Sequence, residues 1–571
     1  TRSYSVTGVQ ACALPICRSM EPAALEDALT AAKAELDGFG TDGEGPNAER
    51  TIKIELNDTN RPDLWSTAGL ARQLRVYAGG PIPEYPFFSS EGNQKKSDFR
   101  VVVDSSIKEI RPYLAAFVIS GKPIGDAMLK DSIQTQEKLC ANFGRKRKSV
   151  SMGLYRIGLI KWPVSYKAAD PDATMFKPLG LEQTMSLRRI LEEHPKGKEY
   201  GHIIAGNERY PILMGADGGI LSMAPVINSD DIGAVQVGDQ DLLVEFTGTD
   251  LPSVALSASI VACDFADAGY EIKPVTVDYA FETPFGRSIT FPYYFQAPAS
   301  VDSGKVSKLL GENFGPDAVA AALARMAVRS ETHGQFVRAL PPEYRNDFLH
   351  PVDLVEDVMI GRGMANFKPE RPRDFTIGRL HPTESFTRRA KDILVGLGFQ
   401  EMIYNYLGSR KDYIERMNVD GTEALRISNP MTENFEIVRP SILPCLLQSE
   451  SVSSKAPYPH RIFEAGKVAF KAPAENYGSS TRQRLGFLSC HAAADYNELA
   501  GIVSALLYYL GHNYAVAEAD DPRFMAGRQA RVMAKGRQIG IFGEVSPAVL
   551  ENWGIAMPCA AGELDLESLM A

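Results

Sequence analysis

Short runs of β-branched and aromatic residues recur between about residues 98 and 290, and turn-forming residues separate them. FRVVVDSS, AAFVIS, DLLVEFTG and KPVTVDY are examples, and runs of this kind predict β-strands. Strands in this number need a sheet-rich domain of their own, which we place at residues 98–290. Because the chain has 571 residues and a domain usually holds about 100 to 200, this domain should be only one part of a multidomain protein.

Turn-rich stretches divide the rest of the chain into three further segments. Residues 18–97 are predicted to form an N-terminal structural module with a helix over residues 20–36, and to end in the linker GGPIPEYPFFSSEGNQKKS. Residues 291–375 carry helical runs, notably 316–328, and an acidic cluster. Residues 376–571 mix an amphipathic helix with several strands. The predicted fold class is therefore α+β with several domains.

The amphipathic helix of the last segment should start near Thr383 and end at the glycines of GLGFQE. Its apolar residues recur at helical spacing, and Gly398 suits the position after a helix end, where a left-handed backbone is common. These glycines are therefore not a phosphate loop, which would also need a lysine and a hydroxyl residue.

Residues 1–17, TRSYSVTGVQACALPIC, are predicted to lie outside the native fold. Their apolar part is too short and interrupted for a secretory signal, and they resemble a translated sequencing adapter. We therefore expect the native start of the protein to be missing from the sequence.

Composition narrows the class of protein. The chain is 44% apolar with a net charge of −10, and no stretch reaches the apolar length that spans a bilayer. We expect a cytoplasmic protein with no membrane contact. The seven cysteines are scattered, so we predict neither a zinc site nor a disulfide framework. Nucleic acid could bind only at a local basic patch, and Gly144–Lys148 is one candidate, although a solvated face is the simpler interpretation.

The strongest chemical pattern is PPEYRNDFLHPVDLVEDVMI. Pro351 suits the first helical position, which places Asp353, Glu356 and Asp357 on one face, with Asp347 just upstream. Acidic residues also stabilise a helix N-terminus by charge alone. Four converging carboxylates would nevertheless suit a hard cation such as Mg²⁺.

A second pattern lies in the sheet-rich segment. On the strand DLLVEFTG, Glu245 and Thr247 share one face. Together with Asn228 and Ser229 of the preceding turn, they could line a pocket that binds a small polar group and orients a water. The alternative is that Glu245 faces solvent and Thr247 only fills a strand position. No Ser-His-Asp or Cys-His arrangement is visible, and His460 and His491 are expected to be structural.

Six strings together give a family resemblance. They are IELNDTNRPDLWS, YRNDFLHPVDLVEDV, GLGFQEMIYNYL, ISNPMTENFEIVRPSILPCLL, YPHRIFEAGKVAF and IGIFGEVSPAVLENWGI. In this order they are similar to the β subunits of phenylalanyl-tRNA synthetase, in particular the shorter form of archaea, the eukaryotic cytosol and some bacteria. The resemblance runs from about residue 18 to the C-terminus.

The resemblance implies two sites. It implies that Asp347, Asp353, Glu356 and Asp357 bind Mg²⁺ near the junction with the catalytic subunit. It also implies that the sheet-rich domain hydrolyses mischarged tyrosyl-tRNA, in an editing pocket at Leu221, Ser229, Glu245 and Thr247. The sequence departs from the family pattern at Gly215, where an acidic residue is usual, and at Ala224-Pro225, where two prolines are commoner.

The resemblance further implies that residues 291–375 are winged-helix-like and that the C-terminal segment has a class II synthetase fold without catalysis. RIFEAG matches only part of a class II active-site motif, and GRQAR stands in the wrong context for the glycine-rich one. ATP and phenylalanine should therefore bind a separate α chain, within an α₂β₂ assembly that acts on tRNA. Two alternatives stay open, namely a freestanding aminoacyl-tRNA deacylase and a scaffold subunit whose editing site has decayed.

Overall fold

The computed structural model describes residues 22–42, 49–56, 60–453 and 455–570. Residues 1–17, predicted to be non-native, lie outside the described residues. The chain divides into two compact units, residues 1–370 and 371–571, whereas the sequence analysis placed its last boundary at 375/376. No helix in the described ranges is long and apolar enough to cross a membrane.

The first unit contains a mixed sheet that spans most of the predicted sheet-rich segment. Its helices are α1 Pro22–Leu29, α2 Thr67–Tyr77, α3 Asp126–Lys138, α4 Leu187–Glu193, α5 Pro195–Tyr200, α6 Asp230–Gly233, α7 Leu251–Asp267, α8 Ser303–Leu310, α9 Pro316–Arg325 and α10 Pro351–Arg362. Its strands are β1 Ala34–Asp42, β2 Glu49–Leu56, β3 Phe99–Val103, β4 Tyr113–Ser120, β5 Val150–Arg156, β6 Val164–Ala169, β7 Met175–Phe176, β8 Met185–Ser186, β9 Tyr210–Met214, β10 Ile220–Met223, β11 Ile227–Asn228, β12 Leu242–Gly248, β13 Glu271–Tyr279, β14 Ser288–Phe291, β15 Ala299–Asp302, β16 Arg329–His333 and β17 Phe336–Leu340.

The strand order of the large sheet is β11-β10-β9-β6-β3-β13-β4-β12-β5, and β14 pairs with β13. Strands β4 and β12 are buried along almost their whole length, because the apolar helix α7 packs on them. Burial on both faces explains why their sequences are almost continuously apolar. A carboxylate on β12, such as Glu245, is therefore enclosed by the fold.

The helix predicted over residues 20–36 is shorter than expected. Helix α1 ends at Leu29 and passes through a 3₁₀ turn to Lys33, whose φ of 54° is left-handed. Leu36 lies on β1, opposite Ile54 of β2. The prediction was wrong here because strand pairing outweighs the local helical spacing.

Three segments that were predicted separately share one hydrophobic core in the first unit. Buried Arg72 on α2 pairs with Asp264 and Asp267 on α7, at 2.5 and 2.6 Å. Its guanidinium also lies 4.3 Å from the ring centre of Tyr344. The N-terminal module therefore packs against the sheet-rich segment and against the segment that follows it. Beyond the large sheet, β15-β17-β16 form a small sheet beside α8, α9 and α10.

The second unit contains a seven-stranded sheet of order β18-β22-β23-β27-β26-β25-β24. The sheet is antiparallel except for β18. Helices α11, α13 and α15 contribute to one core beside this sheet, and α12 and α14 contribute to another. Its helices are α11 Pro382–Gly396, α12 Leu443–Ser451, α13 Tyr496–Leu510, α14 Pro547–Trp553 and α15 Leu566–Met570. Its strands are β18 Gln400–Glu401, β19 Leu407–Gly408, β20 Leu425–Arg426, β21 Ile437–Val438, β22 His460–Lys471, β23 Ser479–Cys490, β24 Ala515–Glu518, β25 Phe524–Ala534, β26 Arg537–Val545 and β27 Cys559–Asp565.

The predicted amphipathic helix is confirmed as α11, which buries Ala390 and Leu394. Gly398 follows it with a φ of +87°, a backbone conformation that residues with a side chain rarely adopt.

Candidate functional site: a buried carboxylate at a cavity wall

A cavity of about 490 Å³ opens in the sheet-rich part of the first unit. Helix α3, the edge strand β5 and the chain from β10 to just beyond α6 form its walls, and they are largely apolar. Apolar cavities with a small number of convergent polar groups are the usual form of a small-molecule site. The polar lining residues are Gln136, Arg147, Ser151, Tyr155, Lys196, Ser222, Asn228, Gln236 and Glu245.

Glu245 is the carboxylate of this wall, and a glycine makes room for it. On β12 it pairs with Gly153 of β5. A Cβ at Gly153 would lie 2.3 Å from the Tyr155 hydroxyl and 2.8 Å from Glu245 Oε2. Because Gly153 has no side chain, the Tyr155 hydroxyl donates to Glu245 Oε2 at 2.9 Å and also bonds Ser222 Oγ at 2.9 Å.

Burial controls the charge of Glu245. The residue is 3% exposed, and burial raises the pKa of its carboxyl to about 7, although the Tyr155 hydrogen bond and the Arg111 charge act in the opposite direction. Among the described residues, no group hydrogen-bonds Glu245 Oε1, which is also shielded from solvent. A buried polar atom without a partner is costly, so a polar group that reaches the second oxygen would be stabilised there.

Thr247 shares the face of Glu245 but does not line the cavity. Its hydroxyl accepts from Arg111 Nε at 3.0 Å and bonds Ser151 Oγ at 2.9 Å. Arg111 is 1% exposed and also donates to the Thr247 carbonyl at 2.6 Å. Thr247 therefore belongs to a polar network behind the wall.

Leu221 and Ser229 are also buried behind the wall. The Ser229 amide donates to the Leu221 carbonyl at 2.8 Å, and its hydroxyl accepts from the Ile232 amide at the start of α6. These bonds hold the two ends of the loop that carries Ser222 and Asn228. Of the residues predicted to line a pocket, Glu245 and Asn228 reach the cavity, and Leu221, Ser229 and Thr247 support its walls.

The two departures from the family pattern lie in different places. Gly215 is not a lining residue. Its amide donates a hydrogen bond to the Gly219 carbonyl at 2.8 Å, and this hydrogen bond closes a turn. Ala224 and Pro225 do line the cavity.

Tyr155, Ser222 and Arg111 are the site residues that the sequence analysis missed. The signal for Tyr155 was Gly153, because a glycine inside a strand often marks a close approach by other groups. Arg111 carries no such signal, since its partners Thr247 and Ser151 are distant in sequence.

The predicted magnesium cluster is not assembled. Helix α10 begins at Pro351 as expected, but buried Arg345 lies between Asp347 and Asp357 and pairs with each at 2.6 Å. Burial raises the pKa of Asp347, but the Arg345 charge, the hydrogen bonds from Arg345 and the Arg61 charge together outweigh burial, so the pKa is lowered.

The remaining two carboxylates are engaged as well. Asp353 accepts from the Leu349 and His350 amides at 2.7 and 2.6 Å, and Glu356 pairs with Lys33 at 2.8 Å. Within the described ranges, no group of three or more His, Cys, Asp or Glu residues could hold a metal ion. In the described residues, Arg345 supplies the positive charge between Asp347 and Asp357, and Mg²⁺ binding by the four residues stays a prediction.

In the second unit, Arg461 and Arg439 are both paired with carboxylates. Arg461 of RIFEAG donates to Glu498 at 2.8 Å, and buried Arg439 pairs with Glu464 at 2.6 Å. His460 and His491 also contact carboxylates, those of Glu450 and Glu498, which agrees with structural roles for both histidines.

Comparison with known proteins first gives the class. The family model described as the phenylalanyl tRNA synthetase beta chain CLM domain matches residues 370–566, and the tRNA synthetase B5 domain matches residues 299–364. The chain is also similar in structure to an N-terminal fragment of the phenylalanyl-tRNA synthetase β subunit from Pyrococcus horikoshii. The TM-score is 0.58 at 33% identity, over 63% of this chain and 100% of the fragment. The chain is thus a subunit of an aminoacyl-tRNA synthetase.

Full-length relatives then give the particular family. The chain is 46% identical over 550 residues to the phenylalanine–tRNA ligase beta subunit of Borrelia garinii subsp. bavariensis, covering 96% of each chain. It is 47% identical to that of Treponema pallidum subsp. pallidum, over 92% of this chain and 88% of the relative. The chain belongs to the family of phenylalanine–tRNA ligase β subunits. Membership in this family implies an α-subunit partner and tRNA binding.

Proposed function

We propose that the cavity hydrolyses tyrosyl-tRNA formed in error, while the complete ligase attaches phenylalanine to its tRNA. One observation carries this proposal: a buried carboxylate at the wall of an apolar cavity has one oxygen without a hydrogen-bond partner among the described residues. Tyrosine differs from phenylalanine by one hydroxyl, and that hydroxyl could hydrogen-bond Glu245 Oε1. Phenylalanine would leave Oε1 without a partner, so the cavity would favour tyrosine.

A second site of this kind meets a chemical need. A synthetic pocket shaped for phenylalanine rejects an analogue with one extra hydroxyl by only about a hundredfold in comparable hydrophobic pockets. A site that hydrogen-bonds the hydroxyl discriminates far better, because its polar groups stay unpaired with the wrong ligand. The departures from the family pattern at Gly215 and at Ala224-Pro225 leave Glu245 and its contact with Tyr155 in place. This argues for an active editing site and against a decayed one.

The test replaces Glu245 in the assembled ligase. We expect Glu245→Ala to reduce hydrolysis of tyrosyl-tRNA by at least about tenfold, since one hydrogen bond to a charged or buried group contributes about 1.5–3 kcal/mol. Phenylalanylation should be unchanged. Release of labelled tyrosine from preformed tyrosyl-tRNA measures the first activity, and ATP-dependent charging measures the second.

Glu192→Ala is the matched control, because Glu192 is an exposed glutamate on α4 of the same unit and should leave both activities at the level of the unmodified ligase. Unchanged tyrosyl-tRNA hydrolysis in Glu245→Ala would refute the assignment. A ligase that does not hydrolyse tyrosyl-tRNA before any substitution would instead support the scaffold alternative.

We further propose that ATP and phenylalanine bind the α chain, and that two chains of each kind form an α₂β₂ assembly in the cytoplasm. The carboxylates paired with Arg461 and Arg439 support this division, because occupied guanidinium groups are poor partners for ATP phosphates. We assign the chain to the shorter form of the family, since spirochaetal relatives are covered over 96% of their length. We also propose that the small sheet β15-β17-β16 and its helices form a winged-helix-like domain.

A further inference from the structure

A strained basic turn, Gly144–Lys148, lies at the rim of the cavity. It joins the π-helical segment Leu139–Phe143 to strand β5. Arg145, Lys146 and Arg147 have φ values of 51°, 55° and 66°, in the left-handed region that residues with a Cβ rarely occupy, and almost never in succession. Such strain persists only where the surroundings hold it, and it is often found at functional sites.

The surroundings that hold this turn are visible. The Lys146 amide donates to the Ala141 carbonyl at 2.9 Å, and the Arg147 amide donates to the Cys140 carbonyl at 2.8 Å. A Cβ at Gly144 would lie 2.3 Å from the Val150 carbonyl oxygen, so a residue with a side chain cannot replace it without a shift of the backbone. The backbone thus fixes where the four cationic side chains emerge.

The turn is docked onto the cavity wall. Arg147 Nη1 donates to the carbonyls of Pro225 and Val226, both at 3.1 Å. Its guanidinium carbon lies 4.1 Å from the ring centre of Tyr200, a cation–π contact. Arg147 itself lines the cavity, whereas Arg145, Lys146 and Lys148 are exposed.

The charge of the turn contrasts with its surroundings. The chain as a whole carries −10, and other lysines of the same segment are balanced by carboxylates, as Lys130 is by Asp126 and Lys196 by Glu199. In the described part of the chain, none of the ion pairs includes a side chain of the turn. A concentrated positive charge in an acidic protein favours a polyanionic ligand.

We propose that the turn Gly144–Lys148 binds phosphates of the single-stranded 3′ end of tRNA and so guides the aminoacyl group into the cavity. This inference rests on the proposed function. An aminoacyl group that reaches the cavity stays esterified to RNA, so the terminal nucleotides must lie at the rim. Arg145, Lys146 and Lys148 are the exposed cations there, and Arg147 anchors them.

The test measures salt-dependent binding by the assembled ligase, using tRNA that carries tyrosine in a hydrolysis-resistant amide linkage. Each phosphate contact to a single strand contributes about 0.7 to the slope of log Kd against log salt. We expect Arg145→Ala/Lys146→Ala to lower the slope by about 1.4 and to raise Kd about tenfold near 100 mM KCl. The charge-preserving exchange Arg145→Lys/Lys146→Arg should restore both.

Lys305→Ala/Lys308→Ala is the matched control, because both lysines are exposed on α8, away from the cavity-lining residues. It should leave Kd and slope unchanged. Equal Kd and slope in Arg145→Ala/Lys146→Ala and in the unmodified ligase would overturn the proposal. Because this assay measures binding alone, failure of the hydrolytic function would be seen separately, as a ligase that binds through the turn without hydrolysing tyrosyl-tRNA.

Discussion

At the scale of single residues, the site depends on the missing side chain of a glycine as much as on the side chains that form its wall. Gly153 leaves the space in which Tyr155 and Glu245 meet, and the fold encloses Glu245 while leaving Oε1 without a partner among the described residues. A carboxyl placed in this way resists ionisation, because the charged form loses its hydration. Its protonation therefore couples the pocket to pH in the neutral range.

This coupling predicts a pH-dependent stability. The Glu245 pKa is raised from 4.5 to about 7, so the unfolded chain loses this proton first as pH rises. As pH rises, the free energy of unfolding therefore falls between the two pKa values and stays constant above the higher one, with a total loss of about 3 kcal/mol. Glutamine cannot ionise. We expect Glu245→Gln to be more stable relative to the parent at about pH 8 than at about pH 5.

Urea unfolding of the first unit at the two pH values measures this difference. Fluorescence in a Trp553→Phe background reports on Trp65 and Trp162, which both lie in this unit. Glu192→Gln, at an exposed position, controls for the general effect of removing a carboxylate. A stability difference between Glu245→Gln and the parent that is the same at both pH values would show that Glu245 ionises normally in the folded protein.

At the scale of the element, the acidic pattern around the start of helix α10 is compatible with two different arrangements. The sequence pattern suits metal binding, but Asp347 and Asp357 instead share buried Arg345, and Asp353 caps the helix. A buried arginine between two carboxylates stabilises only if all three remain, because removal of one partner leaves an unpaired buried charge.

Metal removal tests this arrangement. We expect EDTA and MgCl₂, compared at equal ionic strength, to leave the unfolding temperature of the chain unchanged, since Arg345 already balances the buried carboxylates. Arg345→Met should destabilise the first unit by about 3–5 kcal/mol. Differential scanning calorimetry measures both effects. An unfolding temperature that falls by several degrees in EDTA would show that a cation, and not the arginine alone, holds the start of α10.

At the scale of the whole molecule, the two units divide the work expected of a ligase subunit. The first carries the cavity and the basic turn, and the second has a sheet whose arginines Arg461 and Arg439 are paired with carboxylates. A sheet in which these two arginines are already paired suits the proposed role of a partner subunit better than that of a catalytic subunit.

Co-expression with the α chain from the same genome tests this division. We expect the two chains to purify together, and ATP-dependent phenylalanylation to require both. Calorimetry on the β chain alone should detect no tight ATP binding. A β chain that stays monomeric beside α and hydrolyses tyrosyl-tRNA by itself would favour the freestanding deacylase.

Features that depend on neighbours along the chain could be predicted from the amino-acid sequence. Strand runs, the amphipathic helix α11 with Gly398 after it, the start of α10 at Pro351 and the side of β12 that carries Glu245 all follow from local periodicity and backbone preference. The six family strings likewise gave the family without reference to the structure.

Contacts between residues that are distant in sequence could not be predicted in this way. Glu245 reaches Tyr155 and Ser222 across strands, whereas Leu221, Ser229 and Thr247 lie behind the cavity wall. Arg72 joins two segments, and Arg345 joins the loop before α10 to that helix, through ion pairs that periodicity does not reveal. The physical reason is that burial and charge pairing depend on long-range packing, and packing sets which polar atoms are paired and which are left for a ligand.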